Sequence, residues 1–294
     1  MKNIVVILLV ICSLFACVPE DKEIKVDGFS EKLVVNSQVI PNSIMLVSLT
    51  RSFSILSDGY SDTANASITN DLMEKLLVSD AIVTVSYGNT IDTLFMLAPG
   101  MYTSVSTPQY SEMPYTINAI DKDHNLEITA TETMQEKVAF EEASFKYENK
   151  ALKFKYKFTD PSSNNYYMIN VYHKNSKVID PDNVDISTFL SSGDELAANV
   201  IFPDINFNGK TFEGSVDLSY YEPQYAQDTM VVSLSNISEG YYRYLSLRQK
   251  VSTNILGLIF GEPINYPTNV QGGLGYFSTH FPDTRVLVLP LKPL

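Results

Sequence analysis

Gly209, Lys210 and Thr211 stand in the order that closes a phosphate-binding loop. Such a loop cradles phosphate with backbone N–H groups, neutralises it with the lysine and offers the hydroxyl to Mg²⁺. It also needs a glycine five positions before Gly209, where this chain has Asp204. The flanking residues alternate as strands do, so a hairpin turn is expected there and not a nucleotide site. Gly272, Gly273 and Gly275, in "GGLGYF", lack the spacing of a dinucleotide fingerprint and open no long helix, so their expected role is backbone geometry. Asp121, Asp123, Asn125 and Glu132 sit at positions one, three, five and twelve of a calcium loop. Leu126 replaces the glycine that the sharp turn at position six requires, and a hairpin is expected here too. His124, His173 and His280 are far apart, and none has a His or Cys partner at ligand spacing. Neither a Gly-x-Ser-x-Gly elbow nor a His-Glu-x-x-His helix occurs. The expectation is a non-enzymatic protein that needs no cofactor and no metal.

Tyrosine is what remains. Eight tyrosines crowd the last third of the chain, among them Tyr241, Tyr242 and Tyr244. Tyr220, Tyr221, Tyr225, Tyr266 and Tyr276 are the candidates for a ligand or partner surface, because tyrosine supplies rigid amphipathic contact area. The competing reading is that β-proteins bury many tyrosines in and around their cores.

The elements that must position these residues are mostly strands. "KLVVNSQVI", "IMLVSLTRSF" and "SDAIVTVSYGNTIDTLFML" alternate, the last as two strands around Gly88–Asn89 with Ala81, Val83 and Val85 on one face. "APGMYTSV" turns into another strand, and "PYTINAI" pairs with "LEITATETM" across "DKDHN". A short helix capped by Asn70 interrupts them. Frequent short strands of this kind read as a β-sandwich. Later, Leu152, Phe154, Tyr156 and Phe158 alternate with Lys153, Lys155 and Lys157 as a half-buried strand does. "NYYMINVYHK", "GSVDLSYY", "DTMVVSLSNI" and "RVLVLP" continue the β pattern, residues 175–199 are polar and irregular and read as a loop or short helices, and helical spacing over 239–253 follows a cap at Ser238 or Glu239.

The N-terminus sets the compartment. Lys2 precedes an uncharged apolar run too short to span a bilayer, which needs roughly 20 residues. The run ends at Ala16–Cys17, the shape of a bacterial lipobox in which the Cys17 thiol receives a diacylglycerol. Cys12 leaves with the signal, so Cys17 is the single cysteine of the mature chain and no internal disulfide is expected. Residues 17–31 form a polar tether that carries Glu20 and Asp21. A net charge of −13 argues against nucleic acid and against electrostatic attachment to anionic headgroups. The organisation expected is signal 1–16, tether 17–31, a first domain 32–138 and a second, β-rich domain 139–294.

"KLVVNSQVIPN", "SDAIVTVSYGN", "APGMYTS", "FPDINFNGKTFEG", "EGYYRYLSLRQ" and "FGEPINYPTNVQGGLGYF" follow a lipobox in this order. In that order they resemble the domain-of-unknown-function lipoproteins of Bacteroidetes encoded beside TonB-dependent receptors. The glycine segment resembles the closing segment of that family. "A.VTVS.G" and "PG.Y" also resemble transthyretin-like sandwiches, so the fold class expected is mostly β: an N-terminal Ig/transthyretin-like β-sandwich, then a second β-rich domain with one helix. The resemblance implies a lipid-anchored protein of the outer membrane that faces the cell exterior and serves as an accessory or substrate-binding subunit of a TonB-dependent receptor. The alternative is a cell-surface adhesin or structural lipoprotein.

Replacing the anchoring thiol tests the first step. Cys17→Ser is expected to move the protein from the membrane pellet to the soluble fraction. Retention of the variant in carbonate-washed membranes would refute lipid anchoring.

Overall fold

The computed structural model describes residues 30–39, 45–52, 76–104, 107–108, 110–173, 195–219, 229–252 and 265–291. The signal, Cys17, nearly all of the tether, the Asn70 cap, most of the 175–199 stretch, and Tyr220, Tyr221 and Tyr225 lie outside the described residues.

The first half folds as the alternation requires. Its strands are β1 (Leu33–Val39), β2 (Met45–Arg51), β3 (Ile82–Tyr87), β4 (Thr90–Ala98), β5 (Met101–Ser104), β6 (Pro114–Asp121) and β7 (Leu126–Thr133). Every second residue points inward, so Leu33, Val35, Val47, Leu49, Val83, Val85, Ile117 and Ile128 meet in one core. The strands fold over one another as in a sandwich, yet they bond as one nine-stranded sheet of order β14-β7-β6-β3-β4-β5-β2-β1-β15. Its two outermost members come from the far end of the chain: β14 (Val270–Gln271) pairs antiparallel with β7, and β15 (Leu274–Thr279) pairs parallel with β1. The expected second domain therefore lends two strands to the first sheet. Only Gly272 and Gly273 separate β14 from β15, so this link bridges the two edges and curls the sheet round its core.

That closure explains the glycines. Gly272 and Gly275 have φ of +80° and +94°, the left-handed region that side chains disfavour. A Cβ at Gly275 would lie 1.9 Å from the Val35 carbonyl oxygen, and one at Gly273 would lie 2.5 Å from that of Leu33. Two positions beyond Gly275, Phe277 is wholly buried in the first core.

The open end of the curl is tied by an ion pair. Arg51, ending β2, donates from Nε to Asp121 Oδ2 at 2.8 Å, although β2 and β6 stand four places apart in the sheet. Burial alone would raise the Asp121 carboxyl, but the Arg51 hydrogen bond and charge, helped by His124, outweigh it and hold it below the ordinary carboxylate value. The "DKDHN" segment is the hairpin expected, and its first acid is committed to an arginine.

The second half is a two-sheet sandwich. β12 (Thr211–Asp217), β9 (Ala151–Thr159) and β8 (Glu142–Glu148) form one sheet; β11 (Glu195–Pro203), β10 (Tyr166–His173), β13 (Thr229–Ile237) and β16 (Asp283–Val288) form the other. Between them lies an aromatic core in which Phe158 and Tyr167 stand 4.7 Å apart and Phe207 stacks on Phe212 at 4.1 Å. Helix α1 (Glu239–Ser252) is the helix expected near 239–253, and Ser238 Oγ caps it by accepting the Tyr241 N–H.

Three expectations change. The last part of the loop read over 175–199 is strand, because β11 bonds along the whole length of β10 with one bulge at Val171/Tyr172. β8 is a strand beyond those expected, and it pairs Ala143, Phe145 and Tyr147 with the inward residues of β9. The Gly-Lys-Thr turn is not a hairpin: it carries the chain from β11 in one sheet to β12 in the other. Buried Asp160 holds it, accepting the Gly209 N–H at 2.7 Å and the Tyr167 hydroxyl.

Gly275→Ala is expected to cost roughly 3 kcal/mol or more in urea unfolding, because both φ and backbone contact oppose the added methyl. Gly88→Ala, with φ of +53° but open space around it, is expected to cost about 1 kcal/mol. Equal losses would refute the closure account.

Candidate functional site

The tyrosines converge where the first sheet, the sandwich and α1 meet. Along β15, Phe277 enters the first core while Tyr276 joins Met168, Ile237, Tyr241 and Leu245 in a separate small cluster beneath α1. Ring centroids lie 5.3 Å apart for Tyr241–Tyr276 and for Tyr244–Tyr276, and Tyr266 extends the group at 5.9 Å from Tyr244. Tyr242 belongs to another pair, with Tyr166 at 4.9 Å. Gly240 leaves room for the Tyr276 hydroxyl, which would stand 2.3 Å from a Cβ there.

That hydroxyl donates to Glu132 Oε2 at 3.0 Å. Glu132 is the penultimate residue of β7, and the same oxygen accepts Ser238 Oγ at 3.1 Å and Asn269 Nδ2 at 3.4 Å. One carboxylate thus ties a strand of the first sheet, the cap of α1, and the two sides of the β14–β15 segment. Asn269 continues the tie by imitating a strand: its side chain accepts the Phe277 N–H and donates to the Phe277 carbonyl. Burial raises the Glu132 carboxyl above its ordinary value, and the Tyr276 and Ser238 hydrogen bonds only partly counter this. Burial and the facing carboxylate also push the Tyr276 hydroxyl up, which keeps it a donor.

His280 lies at the other end of this joint, its ring nearly parallel to that of Tyr241 at 6.4 Å. It is 2% exposed, and Nδ1 has no hydrogen-bond partner among the described residues. Burial lowers its pKa from 6.5 to about 4, so it is held neutral.

Of the surface tyrosines expected from sequence, the two that are described behave differently. Tyr276 is 5% exposed and its hydroxyl is committed to Glu132, so it is a core residue and not part of a ligand surface. Tyr266 is half-buried at the margin of the same cluster. Glu132, Asn269 and His280 were not among the sequence candidates for this site; a lone acid in a threonine-rich strand carries no mark of its destination. Among the described residues, no group of three His, Cys, Asp or Glu gathers as metal ligands do. A shallow depression of about 420 Å³ lies elsewhere, on the outer face of β12–β9–β8, where Lys155 and Lys157 stand among Glu142, Glu148 and Glu213.

The fold and its joint define a mostly β protein whose two cores share a closing strand pair. The chain belongs to the DUF4249 family: the model of that domain of unknown function matches residues 20–285. No curated protein matches it. Among solved structures, the chain is similar to a DUF3823 family protein from Parabacteroides merdae ATCC 43184, with 8% identity over 71% of this chain and 92% of that one and a TM-score of 0.23.

The joint has a pH signature. An unfolded chain takes a proton on His280 near pH 6.5 and the folded one only near pH 4, so this group's stabilisation is complete above about 6.5 and falls as pH drops towards 4, by roughly 3 kcal/mol. Glu132, raised when folded, acts in the opposite sense: its stabilisation is greatest when protonated and is lost as pH rises. His280→Gln is expected to flatten the loss of stability between pH 6.5 and 4, measured by chemical unfolding at each pH. An unchanged slope would refute the role given to His280.

Proposed function

We propose that this protein is a surface-exposed outer-membrane lipoprotein that acts as a non-catalytic accessory or substrate-binding subunit of a TonB-dependent receptor. The likeness to Bacteroidetes lipoproteins encoded beside such receptors motivates the reading, and the hold on β1 is the observation that carries it. β1 is the first strand after the tether, and it bonds antiparallel to β2 on one side and parallel to β15 on the other. A chain anchored at Cys17 would thus pull on a strand fixed from both edges. Residues 17–32, fully extended, reach at most about 55 Å, which keeps the folded body next to the membrane and to any barrel embedded in it.

The interior chemistry supports a holding role over a reacting one. The buried or half-buried carboxylates described above, Asp121, Asp160 and Glu132, are each committed to hydrogen bonds that fasten one element to another. Affinity purification of the lipidated protein from detergent-solubilised outer membranes is expected to recover a TonB-dependent receptor in near-stoichiometric amount. Recovery of the protein alone, under conditions that keep outer-membrane complexes intact, would refute the assignment.

A further inference from the structure

The two solvent faces of the molecule differ in chemistry. On the outer face of β12–β9–β8, lysines and carboxylates occupy most outward positions, including Lys153, Lys155 and Lys157 along the central strand. On the outer face of β7–β6–β3–β4 they are almost absent. Val83, Val85, Ile117 and Ala130 point into the core, so their strand neighbours point out. The register aligns Thr93, Thr84, Asn118 and Thr129 in one row across the four strands. Ile82, Ile91, Phe95 and Leu97 flank it, 41%, 70%, 52% and 41% exposed. Glu127 is the one charged residue among these outward positions, and Asn118 Nδ2 donates to it at 3.0 Å. A chain with net charge −13 thus keeps one sheet face nearly free of charge and partly apolar.

We propose that this face is where the receptor docks, the occupant being an uncharged, hydrogen-bonding protein surface of that barrel; this rests on the function proposed above. The chemistry selects among occupants. Lipid is disfavoured, since the face has no cation to hold a headgroup and its row of hydroxyl and amide groups would go unmatched among acyl chains. A second copy is disfavoured by charge, since two copies at −13 repel each other. Four strands about 4.8 Å apart and about seven residues long cover roughly 450 Å², below the ~800 Å² per partner of a specific interface that is stable in solution. A contact this small suffices when both partners sit in one membrane, because anchoring raises their effective concentration.

Photo-crosslinking in native outer membranes tests this. The lipidated full-length protein would carry benzoylphenylalanine either at Thr93 or, as a control on the charged face, at Lys155. A TonB-dependent receptor is expected to crosslink from position 93 and not from 155. Crosslinking from 155 alone would overturn the docking face and leave the receptor association standing. A second copy or lipid captured from 93, without receptor, would overturn it in favour of self-association or membrane contact. No receptor from either position, while affinity purification still recovers one, would also overturn the face; failure of both experiments would remove the functional reading as well. In a second arm, Phe95→Lys is expected to lower receptor recovery at least tenfold with an unchanged melting temperature, since Phe95 is half exposed, whereas Lys155→Glu leaves recovery unchanged. Full recovery with Phe95→Lys would equally overturn the proposal.

Discussion

The approach of one backbone to another at Gly275 governs the rest of the architecture. β15 reaches β1 only because nothing but hydrogen occupies the space above the Val35 carbonyl. Once that contact forms, β15 presents two faces with different tasks. Phe277 fills the first core, while Tyr276 and His280 are delivered to the cluster beneath α1. A larger residue at 275 would push the strand away and withdraw all three side chains together. The closing strand pair is therefore both the edge of one core and the floor of another.

The Glu132 joint makes the same economy with charge. A carboxylate that is partly withdrawn from water is costly unless several donors face it. Here hydroxyl and amide groups from three separate segments converge on one oxygen. The arrangement couples the burial of this carboxylate to the placement of α1 and β15, which supply two of its donors. Asp160 does this again between β10 and the turn at Gly209.

How much of this could be read from the chain depends on range. Alternation within a strand is local, so β3, β4, β6, β7 and β9 are plain in the sequence, as is α1, with its cap narrowed to Ser238 or Glu239. β8 alternates just as clearly as Ala143, Phe145 and Tyr147, and only its charged neighbours hid it. β11 was less legible, because Glu195 and Asn199 interrupt its apolar pattern and its pairing with β10 is what makes it a strand. Membership of β14 and β15 in the first sheet was not legible at all. A parallel partner across the length of the chain leaves no local trace beyond glycine, and glycine fits many other roles. The site suffered in the same way: the tyrosines announced themselves as a group, but nothing near Tyr276 distinguishes a buried donor from a surface ring.

The parallel β1–β15 pair also sets the order in which the molecule can be completed. Ser278 and Ser37, bonded side by side, are 241 residues apart in the chain. Strands β1 to β7 can assemble early from neighbouring segments, but until residues 270–279 arrive the sheet has two raw edges, at β1 and β7. Long-range parallel pairing of this kind forms slowly, and unpaired edges invite pairing with other chains. A nascent copy therefore passes through a stage in which most of the first core exists and its seam does not, and it depends on protection from its neighbours until the last tenth of its length is free to fold.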